Sequence, residues 1–97
     1  MASGYIIGHV DVADPVQYEA YKRLSSAAIQ TYEAEVLVRG GAQQVVEGQL
    51  PTRTVVLRFA SFAAAKAFHD SPEYRAARAA RAGIAEMQMV CVEGVDG

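Results

Sequence analysis

The apolar residues of the chain fall into short β-rich runs and two longer helical stripes. Tyr5 to Val12 carries Ile6, Ile7, Val10 and Val12 with no helical period and stops at Asp14-Pro15, which predicts a strand. The same turn starts a helix. Asp14 can cap its first turn, Pro15 fits the first helical position, where a missing N–H costs nothing, and Gln17 stands at the far corner of a capping box. That helix is predicted to about Tyr32, with Tyr18, Tyr21, Leu24, Ala28 and Tyr32 along one stripe that faces the sheet.

Val36 to Arg39 is ended by Gly40-Gly41 and the β pattern resumes from Gln43 to Gly48, so a second strand with a glycine bulge or bend is expected. Leu50-Pro51-Thr52 turns the chain into a third strand, Arg53 to Phe59, whose centre Val55-Val56-Leu57 is apolar on consecutive positions, as in a strand covered on both faces. Ser61 caps a helix from Phe62 to about His69, and Ser71-Pro72-Glu73 restarts it with a fresh cap and an N1 proline, so this helix is predicted in two pieces. Met87 to Glu93 reads as the last strand. The order strand, helix, strand, strand, helix, strand predicts an α+β fold in a single domain over residues 1–97.

Composition narrows the partners. A chain of 97 residues buries only about 60–65% of the surface its unfolded form exposes, so its own core is thin and a homodimer is expected. With 52% hydrophobic and 21% charged residues it reads as globular, and no apolar run approaches the roughly 18 residues needed to span a bilayer. Met1-Ala2-Ser3-Gly4 has no basic region leading into an apolar run, so the expected location is cytoplasmic. A net charge of −2 argues against a general electrostatic grip on nucleic acid or a membrane surface. The single cysteine, Cys91, cannot form an intramolecular disulfide or a metal site by itself and alternates with Met87 and Met89 as a small hydrophobe.

Candidate chemistry comes from a few side chains. Alternation puts Tyr5, Ile7, His9 and Asp11 on one face of the first strand, so a histidine and a carboxylate stand two positions apart. His9 can serve as a general base beside Asp11, or it can line an interface while Asp11 caps the following turn. Arg75, Arg78 and Arg81 recur every three residues and form a basic stripe. With Arg39 they can hold a carboxylate or phosphate, or they can simply be a solvated face that complements the helix dipole. Tyr74 can donate its hydroxyl to a ligand or pack in the core. Gly40-Gly41 lacks the further glycines of a nucleotide-binding loop, and no Ser-His-Asp order, HExxH or CxxC is present.

The phrases His9-Val10-Asp11-Val12, Leu37-Val38-Arg39-Gly40-Gly41, Arg53 with Val55-Val56-Leu57, and Asp70-Ser71-Pro72-Glu73-Tyr74 with Arg78 and Arg81 resemble, in order and spacing, the family called domain of unknown function 1330, within the dimeric α+β barrel superfamily. The resemblance implies a ferredoxin-like subunit whose open sheet face packs on a second copy, which would cover Val55-Val56-Leu57. Tyr32-Glu33-Ala34 stands where the family has Tyr-Gly-Gly, so the first helix is expected to continue or fray rather than end on a glycine cap. Relatives in the superfamily include quinol-forming monooxygenases and isomerases. The family has no activity assigned in general; the titratable and basic groups at matching positions motivate the expectation of a cofactor-free isomerase or monooxygenase acting on an anionic apolar substrate, with His9 and Asp11 catalytic and Arg39, Tyr74, Arg78 and Arg81 binding. The alternative is a non-catalytic dimer that binds or senses a small hydrophobic metabolite. No cofactor or metal is expected.

Overall fold

The computed structural model describes residues 2–95, and residues 1, 96 and 97 of the expected domain lie outside it. The elements are β1 (Gly4–Val12), α1 (Pro15–Thr31), β2 (Glu35–Arg39), β3 (Arg53–Phe59), α2 (Phe62–Asp70), α3 (Pro72–Arg81) and β4 (Ala85–Glu93). The strands form one four-stranded sheet in the order β2-β3-β1-β4, with every neighbouring pair antiparallel. This is the ferredoxin-like α+β arrangement that the residue pattern and the resemblance predict.

The helices cover one face of the sheet. Ile6 and Val10 of β1, Leu57 and Phe59 of β3, Tyr18, Tyr21 and Ala28 of α1, Ala65 and Phe68 of α2, and Tyr74 and Ala77 of α3 are buried together as the core. Facing residues across the ladder share a side, so Ile6, Leu57 and Cys91 point to the helices, as do Gly8, Val55 and Met89. Cys91 is half-buried there, and burial pushes its thiol pKa up.

Capping sets the helix boundaries. The Asp14 carboxylate accepts from the Val16 and Gln17 amides, both at 3.1 Å, and from the Gln17 side-chain amide at 2.9 Å. Ser71 ends α2 and begins α3: its hydroxyl donates to the Phe68 carbonyl at 2.7 Å and accepts from the Tyr74 amide at 3.1 Å. The predicted break in the second helix is therefore a single buried serine that serves both halves.

Four details depart from the sequence reading. Gln43 to Gly48 is an exposed loop rather than the continuation of a strand. The Gly40 amide still bonds to the Thr54 carbonyl at 2.9 Å, but β3 begins at Arg53, so residues further along have no strand to pair with. The irregularity in β2 lies between Val36 and Val38, not at the glycines. On α1 the buried stripe is Tyr18, Tyr21, Ser25 and Ala28, while Leu24 is 41% exposed. At 100° per residue Ser25 lies about 20° from the centre of that stripe and Leu24 about 80° away, so position outweighs hydrophobicity. The Ser25 hydroxyl is satisfied by the Lys22 carbonyl at 3.2 Å.

The end of α1 is the fourth. The helix stops at Thr31 with a left-handed residue at Glu33, φ 56°. The Ala34 amide reaches back to the Ile29 carbonyl at 3.0 Å and the Glu33 amide to Gln30 at 3.2 Å, which is the Schellman pattern built without glycine.

The face away from the helices is open. Val38 pairs with Val56, Val56 with Ile7 and Ile7 with Val90, so one row of β-branched side chains crosses all four strands. Val38 is 39% and Val90 51% exposed. Val55 and Leu57 face the helices, so of the apolar run at the centre of β3 only Val56 contributes to this open side.

Candidate functional site

Between the helices and the sheet lies a cavity of about 30 Å³, walled by Tyr18 and Tyr21 of α1, Tyr74 of α3, Phe68 of α2 and Met87 and Met89 of β4. Its lining is aromatic and aliphatic because the inward positions of β1 and β4 meet the buried stripe of α1 and the first turn of α3. The Tyr21 and Tyr74 hydroxyls lie 2.7 Å apart, and the Tyr74 oxygen is 4.0 Å from the Met89 sulfur. Burial, then the neighbouring Tyr74, pushes the Tyr21 pKa far above the usual phenol value. Tyr18 is also raised by burial, with the positive charge of Arg53 acting the other way.

The cavity opens between α1 and the β2–β3 edge, where Lys22, Arg39 and Arg53 line both its mouth and the wider depression outside. Arg39 donates to the Ser26 hydroxyl at 2.5 Å, and Lys22 pairs with Glu19 at 3.0 Å. Arg53 has no carboxylate partner among the described residues, and its Nε is buried without a hydrogen bond. Gly40 makes room for it: a Cβ there would overlap the Arg53 guanidinium, and the glycine also takes φ 69°. Arg81 stacks its guanidinium 5.6 Å from the Tyr21 ring, and its own Nε is likewise buried without a partner.

His9 and Asp11 are on the other side of the sheet. His9 Nδ1 is 3.0 Å from the Thr54 hydroxyl, which in turn lies 2.6 Å from the Gln43 side-chain oxygen. Because Thr54 must donate to that oxygen, its own oxygen accepts from His9 Nδ1–H, leaving Nε2 as the free acceptor on the open face. Asp11 accepts from the Thr52 amide at 2.9 Å and hydroxyl at 3.0 Å, which ties the loop before β3. Of the residues singled out from the sequence, the structure brings Arg39 and Tyr74 to the cavity lining and Arg81 onto Tyr21, and separates His9 and Asp11 from them by the sheet. Arg78 turns instead toward His69, 3.5 Å from its Nε2, beside a second depression formed with Lys66, Asp70 and Cys91. Burial, and then the Arg78 charge, lowers the His69 pKa.

Arg53, Lys22, Tyr18 and Tyr21 were not legible as site residues from the stripes alone. One signal was present for Arg53. Strand alternation puts it on the same face as Val55, Leu57 and Phe59, a cation on an otherwise apolar side. Among the described residues no three His, Cys, Asp or Glu side chains gather as a metal site, and no helix is long and apolar enough to cross a membrane.

The fold recurs in solved structures. A protein of unknown function from Rhodopseudomonas palustris superposes with a TM-score of 0.71 at 17% identity, over 99% of this chain and 85% of that one. A dimeric protein of unknown function and ferredoxin-like fold from Bacteroides fragilis gives 0.61 at 16% identity, over 94% and 93%. A cofactor-independent oxygenase from Streptomyces nogalater gives 0.61 at 10% identity, over 100% and 97%. At these identities the likeness is one of fold. No curated protein sequence matches the chain. The sequence pattern of the family described as domain of unknown function (DUF1330) matches residues 3–95, and the chain belongs to that family.

Proposed function

We propose that the protein is a homodimer that takes a small apolar carboxylate between its helices and sheet. The carrying observation is the Arg53 guanidinium, whose buried Nε lacks a partner where an aromatic-lined cavity opens to solvent beside Arg39 and Lys22. A buried donor without an acceptor is costly, by about 1–3 kcal/mol, and a ligand carboxylate at the mouth would satisfy it with a charge-assisted bond. The ligand's apolar body would then lie against the tyrosines, with the unbranched Met87 and Met89 side chains repacking to widen the narrow cavity.

The test is thermal stabilisation by benzoate and its ring-substituted relatives, set against the matching neutral alcohols. Carboxylates should stabilise in proportion to the logarithm of their concentration over Kd, the alcohols should not, and Arg53→Gln should remove the difference. Equal stabilisation by both series would refute the reading.

What supports a second copy on the open sheet face is the row Val38, Val56, Ile7 and Val90, which in a lone subunit would stand in water across all four strands. The Bacteroides fragilis protein of the same fold is dimeric, which supports that occupant. His9 and Asp11 then belong to the seam between subunits. Light scattering should show twice 10.4 kDa for the native chain and a single subunit for Val90→Asp; a native monomer would overturn the assignment.

Catalysis of the isomerase or cofactor-free oxygenase kind is the second reading. One observation favours it: the Tyr21–Tyr74 hydroxyl pair sits inside an apolar cavity. Binding without conversion is the simpler assignment, because the histidine the sequence offers as a base lies across the sheet from the cavity. Recovery of an altered compound after incubation of candidate carboxylates with the protein under air would decide for catalysis.

A further inference from the structure

The hydroxyls of Tyr21 and Tyr74 have two protons between them, and only one can lie in the 2.7 Å bond that joins them. The other has no oxygen or nitrogen acceptor among the described residues. Its nearest partner is the Met89 thioether, 4.0 Å from the Tyr74 oxygen and a weak acceptor at best. The uncommitted O–H sits in the cavity lining beside the apolar Phe68, Met87 and Met89.

The surroundings fit an anionic oxygen. The Arg81 guanidinium lies 5.6 Å from the Tyr21 ring centre, and a hydrogen bond from a hydroxyl to an anion is stronger in so apolar a setting than in water. Burial holds Tyr21 protonated well beyond neutral pH, so its hydroxyl acts as donor and not as base. The lining is aromatic: Tyr18 packs on Tyr21 with ring centres 5.0 Å apart and Phe68 on Tyr74 at 4.9 Å, and the ring surface these pairs present to the cavity suits an aromatic or conjugated body.

We propose that the Tyr21–Tyr74 hydroxyl pair binds the phenolate or enolate oxygen of a planar carboxylate, so that the ligand class is a hydroxyaryl or enolic acid held in its ionised form. This rests on the reading that Arg53 and Arg39 take the carboxylate, and it adds a second polar anchor deeper in the cavity. The consequence is measurable on the ligand itself. A phenol that receives a hydrogen bond from the pair ionises at lower pH when bound than when free.

The probe is 4-hydroxy-3-nitrobenzoate, whose phenolate absorbs visible light, titrated with pH in the presence of excess dimer. Its companion is 3-nitrobenzoate, which has the carboxylate but no hydroxyl. The native protein should raise the ionisation constant of the bound phenol about tenfold, the scale of one strong charge-assisted hydrogen bond. Tyr21→Phe and Tyr74→Phe, which keep the ring and its packing, should each bring that constant back toward the free value while 3-nitrobenzoate still binds. If 3-nitrobenzoate binds but the phenol's ionisation is unchanged, or is insensitive to both Phe variants, the hydroxyl pair is only a core contact and the inference falls while the carboxylate site stands. Exclusion of the hydroxylated probe alone has the same meaning. If neither probe binds, the carboxylate reading fails and this inference with it.

Discussion

Replacing Glu33 by glycine should make the protein more stable, although the substitution removes a side chain and adds none. Glu33 is the left-handed residue that closes α1, at φ 56°, and its side chain is exposed. An L-residue with a Cβ in that conformation costs roughly 1–2 kcal/mol through the clash with its own carbonyl. Glycine avoids the clash but has more freedom to lose on folding, worth about 0.5–1 kcal/mol in the opposite sense. The difference leaves Glu33→Gly more stable by roughly 0.5–1 kcal/mol, or about 2–8 °C in Tm for a domain of this size. Urea unfolding at fixed protein concentration should show a higher midpoint with an unchanged slope, since the surface exposed on unfolding stays the same. Glu33→Ala is the control, because alanine keeps the Cβ and should stay within about 0.5 kcal/mol of the native chain. A Gly variant that melts at or below the Ala variant would refute the assignment of strain to this turn.

Ser71→Ala should lower stability by about 1–2 kcal/mol in the same urea assay, because it removes the Tyr74 amide's acceptor and one of the two donors to the Phe68 carbonyl at a buried site; a loss within error would mean that α2 and α3 do not depend on their shared cap. Burial lowers the His69 pKa from 6.5, so the native state binds fewer protons than the unfolded one and stability, complete above pH 6.5, should fall as pH drops through the range just below it. His69→Gln should flatten that part of the stability–pH curve, and a curve of unchanged slope would show that another group is responsible.

Much of the architecture was legible because local chemistry and tertiary packing agree. Asp14-Pro15 and Ser71-Pro72 start helices wherever they stand, and the chain uses both as their side chains dictate. The misreadings arise where a residue's own preference meets a constraint set elsewhere. Val45 and Val46 favour strand, but the partner they would need ends at Arg53. Glu33 disfavours a left-handed turn, yet Ile29 and Ala34 both pack on the core, and the two backbone bonds of the Schellman pattern hold the chain there. The site divided in the same way. Alternation correctly put His9 and Asp11 on one face of β1 but could not say which face the helices cover, and that choice separates them from Arg39 and Tyr74. For Arg53 alternation showed a cation on an apolar face, but the unpartnered Nε that makes it a candidate is displayed only by the folded chain.

Gly40 is where the loop and the mouth of the cavity meet, and what it contributes is an absent methyl group. A side chain at this position would occupy the volume of the Arg53 guanidinium, so the charge at the mouth depends on a residue that carries none. On the proposed carboxylate reading, a larger residue at position 40 should turn Arg53 aside and weaken carboxylate binding, with Lys22 and Arg39 still at the mouth, through a single substitution in a loop that faces solvent.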